Sequence, residues 1–105
     1  MHAVGITWSV SPDVRSMSND DGGVVLDIRE GMCYSMNVVG ARVWLTIQSN
    51  SQGVSFEGIV DALANQYTVS RVQLENDIAE YLDRLRQMGL VHTKRDKPQP
   101  ISSLL

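Results

Sequence analysis

Gly23-Val24-Val25-Leu26-Asp27-Ile28-Arg29-Glu30-Gly31-Met32-Cys33-Tyr34-Ser35-Met36-Asn37 decides how this chain folds. Val24 to Ile28 is rich in β-branched residues and sets Val24, Leu26 and Ile28 on one face of a strand. Arg29-Glu30-Gly31 reads as a hairpin loop with Gly in the left-handed position. Met32 to Met36 is the return strand, with Met32, Tyr34 and Met36 on the side opposite Cys33 and Ser35. At Asn37, a good N-cap, the apolar period changes from 2 to 3.6.

Upstream, Asn19-Asp20-Asp21-Gly22-Gly23 is a turn cluster. Val14 to Ser18 before it is a further extended segment, so residues 14–36 are expected to form a three-stranded antiparallel meander. Residues 1–12 are a lead-in, in which Ile6 to Val10 alternates as a short strand or docked arm would and Pro12 ends it. Downstream, Val39, Val43, Trp44, Leu45 and Ile47 fill a short apolar helix to about Gln48. Ser55 caps a second helix with Phe56, Ile59, Val60, Leu63 and Ala64 as its buried stripe, and Glu57 suits the dipole of its first turn. Tyr67-Thr68-Val69 breaks it. Ser70-Arg71-Val72-Gln73 is a capping box opening a third helix on Leu74, Ile78, Leu82, Leu85 and Met88, which Gly89 stops. Leu90-Val91 is a short extended piece. From His92 the chain is polar, basic and Pro-containing, so residues 92–105 read as a flexible tail. Three strands followed by three helices make a small α+β fold, a winged helix-turn-helix arrangement over residues 13–91.

Composition bounds the function. The 105 residues make one domain, 43% apolar and 20% charged, an ordinary globule rather than a disordered chain. No apolar run approaches the ~20 residues that cross a bilayer. The N-terminus has no basic and apolar signal segment. The single cysteine, Cys33, has no partner for an intramolecular disulfide, and together these features point to the cytoplasm. The net charge is −3, and residues 1–91 hold six basic against eleven acidic groups, a body that repels a phosphate backbone. His2, His92 and Cys33 make no plausible metal set.

No motif calls for catalysis. Cys33 lacks a cysteine-protease signature and a nearby histidine, and reads as a small apolar strand residue. Asp77, Glu80 and Asp83 stand among Arg71, Arg84 and Arg86 at i,i+3 and i,i+4 spacings, as solvated ion pairs do. Gly22-Gly23 has no phosphate-loop pattern around it, and no cofactor is expected. A DNA reader would carry basic side chains on its recognition helix, whereas residues 70–88 have three Arg against four acids. Peptide binding remains. If Met32 to Met36 is an edge strand, it is one with no charge and no Pro to block pairing, and an extended segment could add beside it. The alternatives are that residues 5–10 or the tail cover that edge, or that it pairs in a homodimer.

Gly23 to Gly31, Tyr34-Ser35-Met36-Asn37 and Gly40-Ala41-Arg42-Val43-Trp44 together resemble the PqqD-like family, the RiPP precursor recognition elements. Glu57-Gly58-Ile59-Val60, Tyr67-Thr68-Val69, Asp77 to Leu82 and Gly89-Leu90-Val91 keep that family's order. The likeness covers roughly residues 13–91, and a separate chain of this length is similar to the stand-alone recognition proteins of lasso-peptide clusters. Gly58 departs from the pattern, since Gly within a helix costs ~1 kcal/mol.

The resemblance implies a non-enzymatic protein that binds the leader of a ribosomally made precursor and delivers it to a separate transglutaminase-like cysteine protease, with no nucleic acid or membrane involved. It implies that the leader pairs antiparallel with the third strand of the meander, here Cys33, Tyr34, Ser35 and Met36. Side chains would enter a groove faced by Asp77, Tyr81, Arg84, Leu85 and Met88 of the third helix. Tyr81, Leu85 and Met88 would line an apolar pocket, with Asp77 and Arg84 at its rim; core packing is the competing role for Tyr81 and Leu85. A winged-helix DNA-binding regulator is the second expectation and a subunit that dimerises through its free edge the third.

Overall fold

The computed structural model describes residues 5–95. Strands β1 (Ile6–Val10), β2 (Val14–Asn19), β3 (Gly22–Asp27) and β4 (Met32–Met36) are followed by helices α1 (Val38–Gln48), α2 (Phe56–Ala64) and α3 (Arg71–Gln87) and then by β5 (Val91–Arg95). β2, β3 and β4 form the expected antiparallel meander in that spatial order. Its registers run from Val14↔Asp27 to Asn19↔Gly22 and from Gly23↔Met36 to Asp27↔Met32. The β3–β4 loop closes on Gly31 at φ +65°, and the buried Asp27 carboxylate organises it by accepting from the N–H groups of Arg29 (3.1 Å) and Glu30 (3.3 Å).

Each helix starts where its cap predicts. The side chains of Asn37, Ser55 and Ser70 accept from the N–H groups of Gly40 (2.8 Å), Gly58 (3.0 Å) and Gln73 (3.1 Å). The capping box at Ser70 is only half made, because the Gln73 amide turns down the helix to donate to Asp77 at 3.0 Å. α2 and α3 are the two helices of the helix-turn-helix, and α1 packs against both β3 and α2. The core joins Val25 from β3, Val43, Trp44 and Ile47 from α1, Ile59, Val60 and Leu63 from α2, and Leu74, Ile78, Leu82 and Leu85 from α3.

One expectation is corrected. Residues 92–95 are not tail. They belong to β5, paired with β1 from Val10↔Val91 to Ile6↔Arg95, while Trp8 and Val54 exchange backbone hydrogen bonds of 2.7 and 3.0 Å. Residues 96–105 and 1–4 lie outside the described residues. The ribbon escaped notice because only Val91 of β5 is buried, and its remaining residues carry no apolar alternation. β3 keeps Val24, Leu26 and Ile28 on one face, as its alternation sets them. The face bearing Val24 and Leu26, and Ile28 just beyond the strand, is the exposed one, and the lone Val25 supplies the core.

Candidate functional site

The meander leaves β4 at the edge of its sheet, and among the described residues no strand pairs with its far side. The lead-in that could have covered it is committed to β5 and Val54 instead. Backbone alternation decides which β4 groups face outward. The Ile28 N–H donates to the Asp13 carbonyl at 3.0 Å, so Ile28 turns toward the β2 side. By alternation Leu26 and Val24 do likewise, while Asp27, Val25 and Gly23 turn toward Met32, Tyr34 and Met36. Cys33 and Ser35 are left with their N–H and C=O groups on the free side.

That edge opens onto a groove of about 570 Å³ lined by β4, the start of α1, the α2–α3 turn and one face of α3. Ser35, Met36, Asp77, Tyr81 and Arg84, named from the family resemblance, are among the residues that line it. Cys33 is exposed and Tyr34 half-buried on β4, both outside the groove lining. Leu85 is 4% exposed and belongs to the core, where the buried stripe of α3 takes it. Met88 is the C-cap of α3, exposed and also outside the lining, which along α3 runs only from Leu74 to Arg84.

Sequence reading missed Asn37, Val39, Gly40, Tyr67, Val69 and Glu80, which complete the groove together with Val43, Leu74 and Ile78. Val39 and Val69 carried a signal, because both are apolar yet 39% and 50% exposed, off the stripes that build the core. Gly40 carried another. A Cβ there would stand 2.7 Å from the Tyr81 hydroxyl and 2.9 Å from its ring carbon, so glycine is what lets the Tyr81 ring lie against α1. Burial pushes the Tyr81 phenol above its ordinary pKa against the lowering pull of Arg84, so it is neutral near pH 7.

Tyr67 differs from Tyr81. Its hydroxyl is buried with no hydrogen-bond partner among the described residues. An unpaired buried hydroxyl costs about 1–3 kcal/mol. Tyr67→Phe is therefore expected to raise the melting temperature by several degrees, about 1 kcal/mol of stability. A melting curve that shifts downward would show that the hydroxyl has found a partner.

An α+β domain with an uncovered, uncharged sheet edge beside a groove has the geometry of a module that can accept a further strand. The family described as coenzyme PQQ synthesis protein D (PqqD) matches residues 22–91, and the chain belongs to that family. Two solved structures share its fold. One is described as TbiB1 in complex with the TbiA(beta) leader peptide, at 31% identity and a TM-score of 0.72, covering 80% of this chain and 94% of that one. The other is described as lasso peptide synthetase B1 complexed with the leader peptide, at 27% identity and a TM-score of 0.64, covering 82% and 98%. No curated protein sequence matches significantly.

Proposed function

We propose that this chain captures the leader segment of a ribosomally made precursor peptide during lasso-peptide maturation, as a fourth strand added to β4. The observation that carries the reading is the contiguity of the free amides of Cys33 and Ser35 with the groove between β4 and α3. Backbone bonds to β4 give the guest its hold, and alternate side chains entering the groove give selectivity. The two solved relatives, both bound to leader peptides, support it.

In this role the chain holds and presents its guest, and the reading asks no bond-making step of it. The captured precursor passes to a separate leader peptidase of the transglutaminase-like cysteine protease type, in the cytoplasm. Tethering raises the concentration of the scissile region at that enzyme without any new catalytic group. No described helix is long and apolar enough to cross a membrane. The charged residues of α3 are four acids against three arginines, which supports a peptide guest over a phosphate backbone.

Titration calorimetry with the leader of any short precursor frame found beside this gene tests the reading. Saturable one-to-one binding is expected, and no heat with any neighbouring precursor would contradict it. Tyr81→Ala, which removes a half-buried ring from the groove, is expected to weaken that binding by about 1–3 kcal/mol. An unchanged dissociation constant would take Tyr81 out of the contact.

A further inference from the structure

The carboxylates around α3 divide by position. Those away from the groove are neutralised: Asp61 and Glu75 share Arg71 at 2.6 and 3.3 Å, and Asp83 meets Arg86 at 2.7 Å. The two that line the groove are not. Asp77 holds only the neutral amide of Gln73, at 3.0 Å. Glu80 reaches Arg84 at 4.0 Å, with the two side chains 75% and 67% exposed, a contact that water largely screens. β4 brings no charge to the opposite wall. The rim thus carries Asp77 and Glu80 against the one cation Arg84, a net negative set beside the exposed apolar Val39 and Val69.

The spacing fits an extended guest. Residues of a strand that face the same way repeat every ~6.8 Å, and Leu74 to Tyr81 advances ~10 Å along α3. Two groove-facing residues of the guest therefore lie along this stretch, one able to set an apolar side chain against the exposed Val39 or Val69, and a long side chain on the other able to reach Asp77 or Glu80. A long cationic side chain there gains the unneutralised carboxylate, whereas an acidic one is repelled.

We propose that Asp77, with Glu80 beside it, selects lysine or arginine in the captured peptide, at the groove-facing position next to the apolar anchor. The assignment rests on the strand-addition reading above and names the chemistry of its guest. The test is selection from a displayed random library of peptides about twelve residues long, enough to span the groove as a strand. Wild-type protein, Asp77→Asn, Asp77→Lys and Ser35→Pro are used as baits.

The wild-type pool is expected to be enriched in Lys or Arg two residues from a large apolar residue. Asp77→Asn should weaken binding of such a peptide about two- to fivefold and flatten its salt dependence, the size of one exposed ion pair. Asp77→Lys should turn the preference toward Asp and Glu. A wild-type pool of binders without cation preference, or a preference unchanged by Asp77→Lys, overturns the assignment while leaving strand addition in place. A pool that folded Ser35→Pro retains equally well overturns the strand-addition reading and the assignment with it.

Discussion

Ser35→Pro is expected to lose leader binding by at least about 2 kcal/mol, some thirtyfold, in a protein that still folds. The two halves of that expectation have separate causes. Ser35 turns its N–H away from β3, so replacing it removes no bond of the existing ladder, and proline is tolerated on such an edge. The same N–H is one of two that an incoming strand would use, and the pyrrolidine ring occupies the space in which the guest backbone must lie. The guest would also leave a carbonyl unpaired in a contact that excludes water. Tyr34→Pro is the internal comparison, because Tyr34 turns inward toward Val25 and its replacement should damage the fold itself. Fluorescence anisotropy with labelled leader peptide, alongside thermal melts of both variants, separates these effects. Wild-type affinity in folded Ser35→Pro would mean that the backbone of Ser35 takes no part.

Trp44→Ala should have the largest effect on stability. Trp44 is fully buried at the point where the sheet and the three helices share one core. Large-to-small truncation of such a residue costs about 3–5 kcal/mol. For a domain of this size that is a fall in melting temperature of roughly 15–30 °C. The Trp44 indole N–H has no partner among the described residues. Trp44→Phe removes that orphaned donor while losing only part of the ring, so it should cost distinctly less than the alanine change. Circular dichroism melts of the pair check the ranking. Equal losses would mean that the indole N–H is satisfied after all.

The parts of the fold legible in the sequence were those governed by local chemistry. Asn37, Ser55 and Ser70 announce helix starts because their side chains satisfy amides three residues on, a relation that needs no tertiary context. The turn at Asn19 to Gly23 and the loop ending in Gly31 fix the meander in the same way. What was not legible depends on partners far along the chain. Val24 and Leu26 outnumber Val25 on β3, yet Val25 is buried, because α1 packs on that side of the sheet. β5 lies eighty residues from β1 and is mostly polar, so although the alternation of Ile6 to Val10 was legible, only the pairing with β1 makes residues 91–95 a strand.

The candidate site divides along the same line. β4 and the Asp77–Tyr81–Arg84 face follow from strand and helix periodicity together with the family resemblance, and the structure brings them to one groove. Leu85 and Met88 obey the same helical spacing but end in the core and at the C-cap, because periodicity names a face without saying how far it stays open. Gly40 and Tyr67 come from α1 and the α2–α3 turn, and nothing in their sequence neighbourhood says that they meet Tyr81 or β4. Alternation likewise set Val24 and Leu26 on one face of the meander without saying that this face, with Met17 76% exposed beside them, is the outward one.

Amide hydrogen exchange on the protein with and without its leader peptide tests the strand-addition account most directly. Slowed exchange at Cys33 and Ser35, with Tyr34 and the amides of β2 unchanged, is the predicted result. Protection that appears on β2 or along α3 alone, with those two amides exchanging as freely as before, would contradict it.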